Sequence, residues 1–145
     1  MSNIFIVLGY IKTRKSFTIR ALTGVYNRRV MQVATQAGNI NIFVQIRSLQ
    51  ELGIAPQNFA TQIANRTNVL VSLRVSPGNR QPDGLKYIQT FINNGCTISQ
   101  IVVLGTNNLP YNLPVGLPSP LFIPNSRTIP PNQIAHQIRA QWGWK

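Results

Sequence analysis

Acidic residues are almost absent from this sequence, which has two carboxylates, Glu51 and Asp83, among 145 residues. Acid and base catalysis by paired carboxylates would need both of them. However, Ser48 to Glu51 fits the capping box of a helix, and Asp83 stands at the N-cap position of another predicted helix. Both carboxylates therefore have a structural role, and the sequence predicts a protein that is not an enzyme.

Cysteine and histidine each occur once, as Cys96 and His136. A single cysteine excludes an intrachain disulfide framework, and Cys96 precedes an apolar run, where it is expected to act as a small core residue. His136 lies off the apolar stripe of a predicted terminal helix, so we expect it to be solvated. Together with two carboxylates, these residues do not make a closed four-ligand metal site of the usual kind, and we predict no metal and no cofactor.

Long apolar runs are also missing, since no stretch approaches the ~20 residues that a membrane-spanning helix needs. The apolar start from Ile4 to Leu8 lacks the preceding positive charge and the small-residue cleavage site of a signal peptide. We therefore expect no membrane partner and a protein made in the cytoplasm without a signal peptide. If it assembles, deposition in a particle, spore layer or inclusion is expected.

Basic charge dominates the sequence, which has 14 lysines and arginines and a net charge of +12. Such a surplus is typical of a protein that contacts a polyanion, because each basic residue that meets a phosphate releases a counterion. The basic residues are scattered, and the densest groups follow Tyr10 and Tyr26, whose rings can stack on bases. The residues predicted to contact a polyanion are Lys12, Arg14, Lys15, Arg28 and Arg29.

The middle of the chain carries the clearest fold signal, a strand, a helix and a second strand. Residues 68–75 are rich in β-branched side chains and end at a Pro-Gly turn. Asp83 caps a predicted helix over 84–94, and the apolar run 98–104 suits a strand covered on both faces. The loop 76–84 matches no phosphate-loop spacing and carries a carboxylate at the cap, so it is a poor phosphate site.

The part of the chain before this signal is predicted to be mostly strand, over 3–11, 16–23, 29–35 and 40–47. Turns of a few residues join these strands, which favours an antiparallel meander. Helical spacing follows over 49–66. The sequence therefore predicts an α/β (or α+β) fold, in which a mixed sheet begins with an N-terminal antiparallel meander and continues into β-α-β units. Residues 1–105 are expected to form this core domain.

Residues 106–145 differ from the core because they combine seven prolines with many large apolar side chains. Proline disfavours helix and ladder pairing, so we predict an extended arm that ends in an amphipathic helix opened by Pro131. The arm is too apolar for a disordered linker and is expected to pack on its own domain or to reach a neighbouring subunit. Its predicted assembly residues are Leu109, Tyr111, Leu113, Leu117, Leu121, Phe122, Ile123, Ile134, Ile138 and Trp142.

Two functions from different classes fit these observations. The first is a non-enzymatic structural protein that self-assembles into a coat, filament or crystalline array through the arm and exposed strand edges. The alternative is a small basic nucleic-acid-binding protein of a ribonucleoprotein or nucleocapsid type. The scattered, arginine-dominated charge favours assembly, so the expected partners are copies of the chain itself, with nucleic acid as the alternative.

Overall fold

The computed structural model describes residues 2–24 and 29–145, except for the side chain of Arg29. None of the helices in these ranges is long and apolar enough to cross a membrane. The elements follow one another along the chain as β1 (Asn3–Gly9), α1 (Lys15–Thr23), β2 (Arg29–Thr35), β3 (Gly38–Gln45), α2 (Leu49–Leu52), α3 (Pro56–Gln62), β4 (Asn68–Arg74), α4 (Gly84–Asn93), β5 (Thr97–Leu104), β6 (Leu121–Ile123) and α5 (Pro131–Trp142).

The strands form one mixed sheet in the order β2-β3-β4-β1-β5-β6. β2 and β3 pair antiparallel, whereas the other neighbouring strands pair in parallel. β1 lies between β4 and β5, and Gly9 at its carboxyl end is opposite both Arg74 and Leu104. The predicted α/β class with a mixed sheet is therefore confirmed.

Each face of the sheet carries an apolar core. On the first face, Leu49, Phe59 and Tyr87 bring α2, α3 and α4 against the strands. On the second face, Ile19 of α1 and Ile134 of α5 do the same. Consequently the chain leaves β1 toward the second face, through α1, and leaves β4 toward the first face, through α4.

The strand predicted over 16–23 is wrong, because this segment lies in the helix α1. Its buried residues include Thr18 and Leu22, which are four positions apart as on one face of a helix. Gly24 ends α1 in the left-handed conformation, and its N–H donates to the Arg20 carbonyl at 2.7 Å. The antiparallel part of the sheet is therefore the single hairpin of β2 and β3, not a meander of four strands.

The predicted N-caps Ser48 and Asp83 are confirmed, whereas the Glu51 carboxylate, predicted to complete a capping box, pairs with Arg47. The Ser48 hydroxyl accepts the N–H of Glu51 at 3.2 Å at the start of α2. The Asp83 carboxylate accepts the N–H of Lys86 at 3.1 Å at the start of α4. Both helices begin where the sequence places them, because a side-chain acceptor satisfies an N–H group that the helix itself leaves unpaired.

The segment 106–145 packs on its own chain. Pro131 opens α5 as predicted. The expectation that the arm stays out of the sheet is wrong at β6, which contains no proline and pairs in parallel with β5. The predicted assembly residues are divided between the two cores: Leu109, Tyr111, Leu113, Leu117 and Phe122 cover the first, whereas Leu121, Ile123, Ile134, Ile138 and Trp142 join the second.

Candidate functional site

A cavity of about 370 Å³ opens at the carboxyl ends of β1 and β4. The connections that follow these adjacent strands leave toward opposite faces of the sheet, and ligands of open α/β sheets bind in the crevice that such a divergence creates. The lining comes from the loop after β1, the first turn of α1, the start of α2 and the end of β4. The lining residues are Ile11, Lys12, Thr13, Arg14, Lys15, Ser16, Phe17, Ser48, Glu51, Ser72 and Arg74.

The loop from Tyr10 to Arg14 has an uncommon backbone. Lys12 has φ 65° and Arg14 has φ 69°, in the left-handed region that residues other than glycine seldom adopt. Between them, the buried Thr13 donates its hydroxyl to the Tyr10 carbonyl at 2.8 Å. Backbone strain of this kind persists only where the surroundings hold it, and it clusters at functional sites.

Two glycines make room for this loop. A Cβ atom on Gly9 or on Gly105 would clash with the side chain of Thr13. Gly105 also has φ +80°, which disfavours other residues there. Thr13 therefore lies in a gap between the carboxyl ends of β1 and β5, and it fixes the loop above these strand ends.

The C-terminal segment holds the loop from the other side. The Ser126 hydroxyl donates to the Thr13 carbonyl at 3.1 Å in a buried position. Arg127 donates to the Ile11 carbonyl at 3.2 Å. The segment predicted as an assembly arm thus anchors the cavity loop through hydrogen bonds that the sequence pattern did not reveal.

Lys15 is the buried cation of the cavity. Its side chain is the first of α1, is 9 % exposed, and donates from Nζ to the carbonyls of Tyr10 at 2.8 Å and Gly9 at 3.2 Å. Burial lowers the pKa of the ammonium from 10.5 to about 8, nearby Arg74 lowers the pKa too, and Glu51 opposes both effects. Folding therefore places this positive charge where burial disfavours it.

Arg74 is positioned by the buried side chain of Gln50. The Gln50 amide accepts the N–H of Arg74 at 3.0 Å and donates to its carbonyl at 3.0 Å. The same amide nitrogen lies 3.2 Å from the Pro82 carbonyl. The end of β4 is consequently fixed, and Arg74 lines the cavity.

The cations of the cavity lack carboxylate partners among residues 2–24 and 29–145. The ion pair found there joins Arg47 to Glu51 at 3.3 Å and is exposed. Lys12, Arg14, Lys15 and Arg74 line the cavity with this one carboxylate. The site therefore has an excess of positive charge that its own acids do not neutralise.

Ser72 supplies a hydrogen-bonding group without a partner. It borders the cavity two residues before Arg74 on β4, is 1 % exposed, and its Oγ meets no partner in the described structure. A buried hydroxyl left unpaired costs about 1–3 kcal/mol. A ligand oxygen within hydrogen-bond distance of this hydroxyl would remove this cost.

The amino end of α1 adds backbone donors to the same place. The first N–H groups of a helix have no acceptor within it, and their partial positive charge favours anions. α1 starts after Arg14 without a side-chain cap. Ser48 caps α2 and Asp83 caps α4. The first turn of α1 lines the cavity and has no capping side chain.

Three of the five predicted polyanion-contact residues converge here, namely Lys12, Arg14 and Lys15. Arg28 lies outside the described residues. The backbone of Arg29 lies in β2, and β3 and β4 separate that strand from β1. The backbone of Arg29 therefore lies in a different part of the sheet from the cavity loop.

The sequence reasoning missed Ser72, Arg74, Glu51 and Gln50. Recognising a helix over 15–23 would have revealed the site. A helix directly after the buried strand β1 predicts that β1 pairs in parallel, and the basic loop then lies at the carboxyl end of that strand. The buried positions of α1 recur at helical spacing, but their β-branched side chains also fit a strand.

The other candidate chemical groups lie elsewhere. His136 is exposed on α5. Cys96 lies at the amino end of β5, whereas the cavity lies at the carboxyl ends of β1 and β4. Burial raises the pKa of the Cys96 thiol. Among the described residues, no three of the His, Cys, Asp and Glu side chains are grouped closely enough to hold a metal ion. No protein-family model, curated protein or solved structure matches the chain.

Proposed function

We propose that this chain is a binding protein, not an enzyme, and that the cavity between β1 and β4 takes a phosphate group. The proposal depends on one observation: uncompensated cations, an unpartnered buried hydroxyl and an uncapped helix start all border the same cavity. Oxygen acceptors satisfy all three kinds of donor at once. The proposal places the predicted polyanion contact in the cavity between β1 and β4.

Phosphate suits the cavity better than a carboxylate does. Its several oxygens accept hydrogen bonds from different directions, and its second negative charge matches the surplus of cations. Here the donors come from separate elements: Lys15 and the first turn of α1, Ser72 and Arg74 of β4, and Lys12 of the loop. A planar carboxylate would leave part of this set unsatisfied.

Self-assembly into a coat, filament or crystalline array stays a prediction. The arm residues on which it was based fill the two cores of their own chain. An assembly would therefore need another surface, such as the outer edge of β2, the first strand of the sheet order.

Replacing Arg74 by glutamine is expected to weaken phosphate binding about tenfold or more, because one charge-assisted hydrogen bond contributes about 1.5–3 kcal/mol. Isothermal titration with inorganic phosphate at low salt measures the dissociation constant. Gln50 holds only the backbone of Arg74, so the variant is expected to fold normally.

Lys86→Gln is the matched control for this experiment. It removes the same charge from an exposed position on α4. We expect its phosphate affinity to stay within about twofold of the original, since Lys86 does not line the cavity. Equal losses in both variants would mean that phosphate responds to net charge alone, and the site proposal would fail.

A further inference from the structure

Two large apolar side chains stand exposed at the proposed phosphate site. Ile11 is 58 % exposed and Phe17 is 57 % exposed, and both line the cavity. Across the described residues, the exposed large apolar side chains are Ile11, Phe17, Val30 and Val115, so half of them border this one cavity. An exposed apolar group beside a polar cavity is typical of a binding site for a ligand that has an apolar part.

Phe17 is an exposed aromatic side chain at the start of α1, beside the cavity. It is the third residue of α1, so its side chain leaves from the same turn that presents the helix N–H groups. The Arg20 guanidinium lies over the ring at 5.9 Å from its centroid. With more than half of the side chain still in solvent, a flat ligand ring can stack on it.

On the basis of the proposed phosphate site, we propose that the ligand is a nucleoside monophosphate unit whose phosphate occupies the cationic cavity and whose base stacks on Phe17 beside Ile11. A cavity of about 370 Å³ is at the small end of the range for ligand pockets, about 300–1,000 Å³, which suits one nucleotide. Such a unit occurs as a free nucleotide and at the phosphorylated end of a nucleic-acid strand. The two sources share the same recognition chemistry.

The affinities of inorganic phosphate, adenosine monophosphate and adenosine, measured by titration calorimetry, test this inference. Base stacking on an aromatic side chain contributes about 1–3 kcal/mol, so the monophosphate is expected to bind at least about fivefold more tightly than phosphate. Phe17→Ser is expected to remove this advantage, so that the variant binds the monophosphate no more tightly than it binds phosphate. Val115→Ser, which truncates an exposed apolar residue of the C-terminal arm, is the matched control and is expected to change neither affinity.

The outcomes separate the two proposals. If inorganic phosphate does not bind, the proposed function fails and this inference fails with it. If phosphate binds but the monophosphate binds no more tightly, or Phe17→Ser has no effect, this inference alone is overturned.

A short oligonucleotide with a 5′-phosphate, compared with the same strand without it, distinguishes the two sources. Tighter binding of the phosphorylated strand than of the monophosphate supports a strand end, and binding no tighter than the monophosphate supports a free nucleotide. Equal binding of both strands, each tighter than the monophosphate, would overturn the inference, because internal phosphodiesters would then be the ligand.

Discussion

Replacing Lys15 by methionine is expected to raise the free energy of unfolding at pH 7 by about 2 kcal/mol and to abolish phosphate binding. The pKa of Lys15 falls from 10.5 to about 8 on folding, so the buried charge destabilises the fold by about 3 kcal/mol. Methionine keeps the apolar stem and removes the charge. A gain in stability together with a loss of binding would identify Lys15 as a functional residue.

The loss of the two Lys15 hydrogen bonds is expected to reduce the gain in stability only slightly, because the carbonyls of Gly9 and Tyr10 each keep another donor. The Gly9 carbonyl accepts the N–H of Val75 at 3.0 Å. The Tyr10 carbonyl accepts the Thr13 hydroxyl at 2.8 Å. Neither oxygen is left unpaired in the variant, so the full cost of an orphaned acceptor does not arise.

The pH dependence of stability gives the Lys15 prediction a second readout. Between pH 8 and 10.5 the unfolded lysine holds a proton that the folded one has lost, so the stability of the unmodified protein rises with pH in this window. Tyr87, whose pKa burial raises to about 12, has the opposite effect above pH 10. The charged groups around Lys15 are Lys12, Arg14 and Arg74, with Glu51 opposing them.

Urea denaturation at pH 7, 8, 9 and 10 measures this effect. The stability advantage of Lys15→Met is expected to shrink as the pH rises, because the unmodified protein loses the buried charge. Lys12→Met, a change at the exposed neighbour, is expected to stay within about 0.5 kcal/mol of the original. A Lys15→Met variant that is less stable at pH 7 would contradict the assignment of Lys15 as a strained buried cation.

Deleting residues 109–145 is expected to unfold the protein. The deletion removes six buried apolar residues of the second core, namely Ile123, Ile134, Ala135, Ile138, Trp142 and Trp144. Burial of one large apolar side chain contributes about 1.5–3 kcal/mol, so the loss approaches the whole stability of a typical domain, about 5–15 kcal/mol. It also removes Ser126 and Arg127, which hold the cavity loop.

Circular dichroism and thermal melting distinguish this expectation from assembly through the arm. If the arm served only to join neighbours, the shortened chain would be a smaller, soluble and folded species with a cooperative transition. Observing that species would contradict the packing described above. The milder change Ile138→Ala is expected to keep the fold and to lower the free energy of unfolding by about 2–5 kcal/mol.

Local signals in the sequence identified most of the elements. β-Branched runs gave β1, β2, β3, β4 and β5, and the side-chain acceptors Ser48 and Asp83 located the starts of α2 and α4. α1 has no such signal, since Arg14 occupies the cap position and no acidic residue lies in the first turn. With the helix read as a strand, the basic loop appeared to be a turn between antiparallel strands.

The site depends on contacts that no local pattern specifies. Ser72 and Arg74 line the same cavity as the loop because β4 pairs with β1 in a register that sets Arg74 opposite Gly9. These two residues are 65 positions apart in the sequence. Likewise, Ser126 meets Thr13 because β6 adds to the sheet beside β5. The sequence could therefore indicate Lys12, Arg14 and Lys15 as a basic group, but not the donors that complete the cavity.

A nuclear magnetic resonance titration of the ¹⁵N-labelled protein with inorganic phosphate tests the central claim most directly. We expect the amide signals of Lys15, Ser16 and Phe17 to shift together and to saturate, because these N–H groups begin α1 at the cavity. The amides at the start of α4, which Asp83 caps, serve as the internal reference and are expected to stay in place. Shifts that spread over the exposed arginines without saturating, and that leave the first turn of α1 unchanged, would contradict a phosphate site in the cavity.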